Sequence, residues 1–403
     1  MDIKLIVGRA SRNRIVWSSV FFVAAFLLLS VLVTQSQIYY TYSNLFDILF
    51  LGLFVVLFAS SMGLGFRKGD LIYLAACLLY FLATTLFFTR DMATTAVSAF
   101  WVLLWIVVLE NANIRKKDIR WISAILFLAV CYLVLLSKDC GEWFDFQTGE
   151  FILNPNRIVF QTRLNPNTIG FLLALFSGLL LAVSKEWAAC CKTGCELVLI
   201  AVTLAGLICC KSRTSMLMFL LFLFLKYALP MKYKQNYRFV AMLSLLIIAA
   251  GCILPVMYTT LYTNRYGIGL EFMGKDIFTG REWIWEYLFE EVGKTPFGWI
   301  FGIGAHGANI EDSVLNAHNA YLSIYMRFGA VGVAAFFGYY IYRLKKFYTA
   351  GSLNRTGMDV TMLGISTLLS GYFETVTLWH PMLFFTGFVW ALPVCLTKGD
   401  PIG

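Results

Sequence analysis

Apolar stretches long enough to cross a lipid bilayer recur from one end of this 403-residue chain to the other. A helix rises 1.5 Å per residue, so about 20 apolar residues cross a hydrocarbon core ~30 Å thick. Twelve such stretches are predicted, at 15–33, 45–65, 71–88, 92–109, 119–137, 168–184, 195–210, 214–229, 239–261, 319–341, 359–378 and 381–397. The polar faces that helices of a large soluble protein need are missing. Only 14% of the residues are charged, against roughly 25% in soluble domains. The chain is therefore expected to be all-α, a polytopic membrane bundle of about 12 transmembrane helices. Lys4, Arg9, Arg12 and Arg14 precede the first stretch as in a signal peptide. That stretch is long for a signal, and no small-residue cleavage site follows, so it is read as the first membrane helix.

Charge gives the crossings a direction. With the basic N-terminus inside and the sides alternating, about two thirds of the 32 Lys and Arg residues fall on the inner side, as the positive-inside rule requires. Both termini are then cytoplasmic. The same rule accounts for the net charge of +9, so no nucleic-acid partner is expected. Cys77, Cys131, Cys252 and Cys395 lie in apolar runs and read as small hydrophobes. Cys190, Cys191 and Cys195 form a cluster without a nearby histidine, and no metal is expected. Cys140 is a conceivable partner for Cys209 or Cys210.

The organisation is a single transmembrane domain, 1–403, with two long external loops, 138–167 and 262–318. Loops of this length usually carry function. No Walker-type motif and no internal repeat is present, and no cofactor is expected. His306, His318 and His380 all fall outside.

The outer cations are few and therefore informative. Cys210-Lys211-Ser212-Arg213-Thr214 is a tight outer turn whose Arg213 defies the charge rule. In the larger loop, Thr279 and Glu282 have capping-box spacing, and Ile284, Trp285, Leu288 and Val292 form a helical stripe. Arg281 then stands in the first turn, where the helix dipole disfavours a cation unless an anion binds too. Free N–H groups plus a guanidinium suit a phosphate. The alternative is pairing with a carboxylate in this net acidic loop. Gly298 to Gly307 reads as a tight turn at the membrane surface. His318 enters the tenth span from an aqueous face, a position for a general base or for an interfacial hydrogen bond. Arg327 follows nine residues later, roughly 13 Å deeper at helical rise, and Glu374 lies about a turn inside the eleventh span. Such charges face a partner or a cavity, and pairing with each other is one solution. Pro166 favours a non-helical approach to the sixth span, which Asn167 or Thr168 caps. Arg163 is a further outward cation.

Asn-Pro-Asn-Thr-x-Gly at 165–170, Ser-Arg-Thr at 212–214, Gly-Arg-x-x-x-Trp at 280–285, Gly-x-Gly at 302–304 and His-Asn-x-Tyr-Leu at 318–322 follow in order. This set resembles the O-antigen ligase and O-antigen polymerase superfamily of bacterial membrane glycan transferases. The resemblance covers roughly 160–345. It implies a GT-C-like bundle with a long, partly helical external loop in the bacterial cytoplasmic membrane. It implies a donor glycan on undecaprenyl pyrophosphate, passed at the outer face to an acceptor sugar without a metal. Arg213 and Arg281 would hold the pyrophosphate and His318 would stand near the acceptor, with Arg163, Asn319, Arg327 and Glu374 as further substrate-binding candidates. Membrane lipids, a flippase and a chain-length regulator are the implied partners. A polymerase is favoured slightly over a ligase. The reading from another class is a secondary transporter using Arg327 and Glu374, but inverted repeats and broken midplane helices are not evident in the sequence.

Overall fold

The computed structural model describes residues 68–88, 116–137, 142–145, 150–153, 166–187, 192–264, 271–272, 275–276, 281–294, 296–303, 309–310, 313–314, 317–349, 353–373 and 380–397. These form α1 (Lys68–Phe88), α2 (Lys116–Ser137), α3 (Pro166–Ala182), α4 (Lys192–Cys210), α5 (Arg213–Leu223), short α6 (Met231–Lys234) and α7 (Tyr237–Thr263). Then follow α8 (Arg281–Lys294), the single turn α9 (Gly298–Phe301), α10 (Ala320–Thr349), α11 (Arg355–Ser370) and α12 (His380–Thr397). Helices coincide with the predicted stretches throughout the described residues, while those at 15–33, 45–65 and 92–109 lie outside them. Thr193–Cys210, Tyr237–Thr263 and Ala320–Thr349 are long and apolar enough to cross a membrane. Asp70–Tyr80, Ile122–Ser137, Pro166–Ala182 and Phe385–Val394 are shorter apolar helices. The long loops add three antiparallel hairpins that a purely helical reading does not foresee. They pair Glu142–Asp145 (β1) with Glu150–Leu153 (β2), Glu271–Phe272 (β3) with Lys275–Asp276 (β4), and Asn309–Ile310 (β5) with Ser313–Val314 (β6).

Helix α3 is apolar on every face and lies at the centre, buried from Thr168 to Ala182. It packs against α2, α4, α5 and α11. Contact between α3 and α4 includes a hydrogen bond from Thr203 Oγ1 to Ser177 Oγ (2.8 Å). The helix already begins at Pro166, whose missing N–H is harmless in a first turn. Asn167 and Thr168 therefore stand inside that turn and are not its cap.

Charges gather at one end of the bundle. Lys234 pairs with Asp359 at 3.3 Å, both side chains almost fully buried. Lys226 lies 3.5 Å from Glu196 and also donates to the Leu181 carbonyl. Asp70 meets Arg343 at 3.0 Å and Lys346 at 3.2 Å. These basic residues are among those the charge count places inside, and here each meets a carboxylate from another segment. Lys234 Nζ also donates to the Lys226 carbonyl, which ties the end of α5 to the start of α11. Helices α5 and α11 therefore run antiparallel, and Arg213 lies at the same end as Ser370.

The predicted tenth span is not one straight helix. Residues sixteen apart in a straight helix are separated by about 24 Å, yet the rings of Tyr321 and Phe337 stack with centroids 5.0 Å apart. The chain folds back at Gly329, whose φ of 63° and ψ of −167° break α10. Only glycine adopts that conformation readily. Two carbonyls before the break lose their helical donors. The Ile303 N–H donates to Met326 (2.7 Å) and the Tyr80 hydroxyl to Phe328 (2.8 Å). A Cβ on Gly329 would lie 2.1 Å from the Ile300 oxygen, and one on Gly302 2.5 Å from the Arg327 carbonyl. Arg327 therefore sits beside Gly302, at a corner of the chain, near the end of the helical stretch that begins at Ala320.

Helix α11 also departs from its predicted limits. Asn354 caps it, accepting from the Gly357 N–H at 2.6 Å, and the helix ends at Ser370. Glu374 is thus four residues beyond the helix that was expected to carry it, and it lies outside the described residues. Its expected pairing with Arg327 falls there too. Of the cysteines considered for bridging or metal binding, Cys195, Cys209 and Cys210 are not in disulfides, and Cys140, Cys190 and Cys191 lie outside the described residues.

Two stability predictions follow from these contacts. Gly329→Ala combines a disfavoured φ/ψ with a backbone clash and should cost at least about 3 kcal/mol, seen as a lower thermal midpoint and folded yield in detergent. Unchanged melting would contradict the close contact. Asp359→Leu strands the buried Lys234 ammonium and should cost about 3–5 kcal/mol. Adding Lys234→Met should recover most of that loss in the same melting assay.

Candidate functional site

The stripe read from the sequence settles α8 onto a small core of its own. Trp285, Leu288 and Val292 are buried, with Ile284 partly so, against Tyr258, Ile303, Ala317, Leu322 and Met326. Arg281 is the first residue of α8. Its guanidinium carbon lies 5.7 Å from the centroid of the Phe373 ring, a distance for a cation–π contact. Phe373 also stacks on Trp285 with centroids 6.4 Å apart. At the far end of α8, Lys294 meets Glu290 and Glu291 at 3.0 Å each. The hydrogen bonds to Glu291 and Glu290 raise its pKa above the usual lysine value. A cation at a helix C-terminus suits the dipole, whereas Arg281 at the N-terminus opposes it. An anion at that N-terminus would reverse the balance.

Trp285 links this helix to His318. Its indole Nε1 donates to the Ala317 carbonyl at 2.6 Å, and His318 is the next residue. His318 is half-buried and holds a left-handed backbone, φ 47°. Such a conformation is uncommon away from glycine and worth attention where a site is suspected. Asn319 follows, fully buried. Its Nδ2 donates to the Tyr372 carbonyl (2.7 Å) and its Oδ1 accepts from the Leu322 N–H (2.7 Å). Asn319 thus caps α10, and its amide ties the start of that helix to the segment after α11. The Ala320 N–H donates to the Gly371 carbonyl at 2.8 Å.

The corner 371–373 is where these strands of argument meet. Gly371 takes Ala320, Tyr372 takes Asn319, and Phe373 takes Arg281. Tyr372 is itself anchored by its hydroxyl on the Ile247 carbonyl (2.6 Å). The structure therefore brings Arg281 and His318 around one corner.

Arg213 opens α5 at the same end of the bundle. The turn before it is tight because Lys211 is left-handed, φ 49°, and because Ser212 is buried against α3. A Cβ on Gly170 would lie 2.5 Å from that of Ser212, so no larger residue fits there without movement. Ser212 donates to Ser215 at 2.8 Å. Both predicted arginines are thus first residues of helices. Arg327 lies at the Gly329 corner, and Arg163, His306 and Glu374 lie outside the described residues. Sequence reasoning had Trp285 in an apolar stripe and in the Gly-Arg-x-x-x-Trp motif, and did not single out Tyr372 or Phe373. Their contribution depends on contacts between distant segments, which no local pattern announces.

Two arginines thus open helices at one end of the bundle, beside a histidine with a left-handed backbone. Residues 198–337 match the family model described as O-antigen ligase. The matched segment holds Arg213, Arg281, His318, Asn319 and Arg327. No curated protein and no solved structure matches the chain.

The tie between α8 and His318 is open to test. Trp285→Phe keeps the ring but removes the indole donor from a buried carbonyl, and should cost about 1–3 kcal/mol. It should also raise hydrogen exchange at residues 317–322. Unaltered exchange there would show that the bond does not hold His318 in place.

Proposed function

We propose that this protein moves a glycan from an undecaprenyl-pyrophosphate carrier onto an acceptor sugar at the outer face of the bacterial cytoplasmic membrane. The family match supports glycan transfer in general terms. The observation that carries the finer reading is the joint placement of Arg281 and His318 around the 371–373 corner through Trp285.

In this reading Arg213 and Arg281, each at a helix N-terminus, hold the pyrophosphate. They stabilise the charge that grows on it as the anomeric C–O bond breaks. That charge stabilisation stands where other enzymes use a divalent cation. His318 accepts the proton of the acceptor hydroxyl, or orients it, as its oxygen attacks. One displacement inverts the anomeric carbon, and the leaving pyrophosphate stays on its lipid. The proposed architecture is a GT-C-like bundle of about 12 spans with both termini in the cytoplasm.

The polymerase reading is preferred to the ligase, with a flippase supplying substrate and a chain-length regulator as partner. The Gly329 corner resembles the broken helices of transporters. There, however, unwound carbonyls line a path, whereas those of Met326 and Phe328 are taken by Ile303 and Tyr80. Solute uptake into proteoliposomes would favour the transporter.

The test uses purified protein with undecaprenyl-pyrophosphate-linked oligosaccharide. Lengthening of the lipid-linked chain without any other acceptor is expected, and transfer only after a second acceptor is added would identify a ligase. Arg213→Ala or Arg281→Ala should each lower the rate by about 10²–10³-fold, as for loss of a charge-stabilising donor. His318→Ala should lower it by about 10²–10⁴-fold. Full activity in folded variants would overturn the assignment.

A further inference from the structure

The segment joining α8 to the Gly329 corner carries an exposed apolar tip. Phe297 is 71% exposed, Trp299 47%, Ile300 45% and Phe301 40%. Single exposed apolar residues are ordinary on any protein surface. Four large ones within five consecutive positions, outside any spanning helix, are not.

The tip cannot fold away, because its backbone is fixed from behind. The Ile300 and Phe301 N–H groups donate to the Phe297 carbonyl at 2.9 and 3.0 Å, and Gly302 N–H to Gly298 at 2.7 Å. Phe297 reverses the chain with a left-handed φ of 59°. Ile300 and Phe301 lie directly on Gly329, and Gly302 on Arg327. Trp299 leans on Phe289 (6.3 Å between centroids) and Tyr325 (6.1 Å). The turn is thus a rigid knuckle.

Its height relative to the bilayer follows from α10. Beyond Gly329 the helix runs to Thr349, roughly 20 residues and ~30 Å, the thickness of the hydrocarbon core. The knuckle rests at the start of that run, so it lies at the boundary between lipid and water. Val331, just inside the run, is 40% exposed and extends the apolar surface downward from the knuckle. Helix α8 differs: Glu290 and Lys294 on its outward side are 62% and 58% exposed. Trp favours the headgroup level of a bilayer, and Phe is among the residues that interfacial segments bury on their apolar side.

We propose that Phe297, Trp299, Ile300 and Phe301 form a wedge that seats in the outer lipid leaflet and fixes the position of α8 and the His318 corner relative to the membrane. The occupant of the apolar surface is lipid acyl chain. Ile303, immediately after the wedge, belongs to the same core as Trp285 and Ala317, so wedge and site move as one body. Lipid contact is read directly and does not depend on whether the protein transfers glycans.

The test places the unaltered full-length protein in vesicles of phosphatidylethanolamine and phosphatidylglycerol with a trace of phospholipid bearing a diazirine on its acyl chain. After irradiation, the peptide containing 297–301 should carry lipid adducts at a level comparable to α7, whose Leu246 and Ile253 are also exposed. The α8 peptide should carry at least tenfold less. Labelled α7 with unlabelled 297–301 would overturn the proposal. A second measurement places p-benzoylphenylalanine at Ile300 in the same vesicles. A lipid adduct supports the wedge. Cross-links confined to a second copy of the chain, or to another segment of the same chain, would show that protein covers this surface.

Discussion

A peptide group in hydrocarbon must find its hydrogen-bond partner within the protein, and unpaired groups cost several kcal/mol each. Regular helices meet this demand internally, so the bundle needs no outside help along most of its length. The demand becomes acute where a helix stops. At Gly329 the carbonyls of Met326 and Phe328 are released, and the structure supplies Ile303 from the segment after α9 and Tyr80 from α1. At the start of α10, Asn319 serves its own helix and the end of α11 at once. The segment that follows α8 is thereby bonded to the bundle through main-chain groups, and the candidate site inherits its rigidity from those bonds.

The two ends of the bundle treat charge in opposite ways. At one end Lys234, Lys226, Arg343 and Lys346 are matched with Asp359, Glu196 and Asp70, and several of these side chains are almost entirely buried. Such pairs fix which segments meet, because removing one partner leaves a stranded charge. At the other end, Arg213 and Arg281 open helices, where the local field opposes them.

Much of this was legible in the residues. Run length gave the helices, since apolar length and helical rise leave little freedom. The stripe Ile284, Trp285, Leu288 and Val292 gave α8, because a 3.6-residue period buries one face. Arg213, Arg281 and His318 stood out by charge and sidedness. The fold-back at Gly329 was not read, because Phe328-Gly329-Ala330 looks like an ordinary glycine within an apolar helix, and its conformation is decided by the loop that presses on it. The early start of α11 was missed because Asn354-Arg355-Thr356 is polar, although Asn354 is a good cap. The 371–373 corner was invisible for a more basic reason. Its meaning lies in which distant segments it touches, Asn319 and Arg281 among them.

The contact between Gly302 and the Arg327 carbonyl, mirrored by Gly329 against Ile300, makes two stretches of chain inherit together. Neither surface tolerates a side chain, so neither can drift without the other. Exchange of acceptor preference between relatives by recombination would succeed when the crossover points flank the whole of 281–329. A junction inside it would join halves that no longer fit. The unit of variation in such a protein would then be this cassette, which joins the latter part of the 262–318 loop to the first stretch of α10.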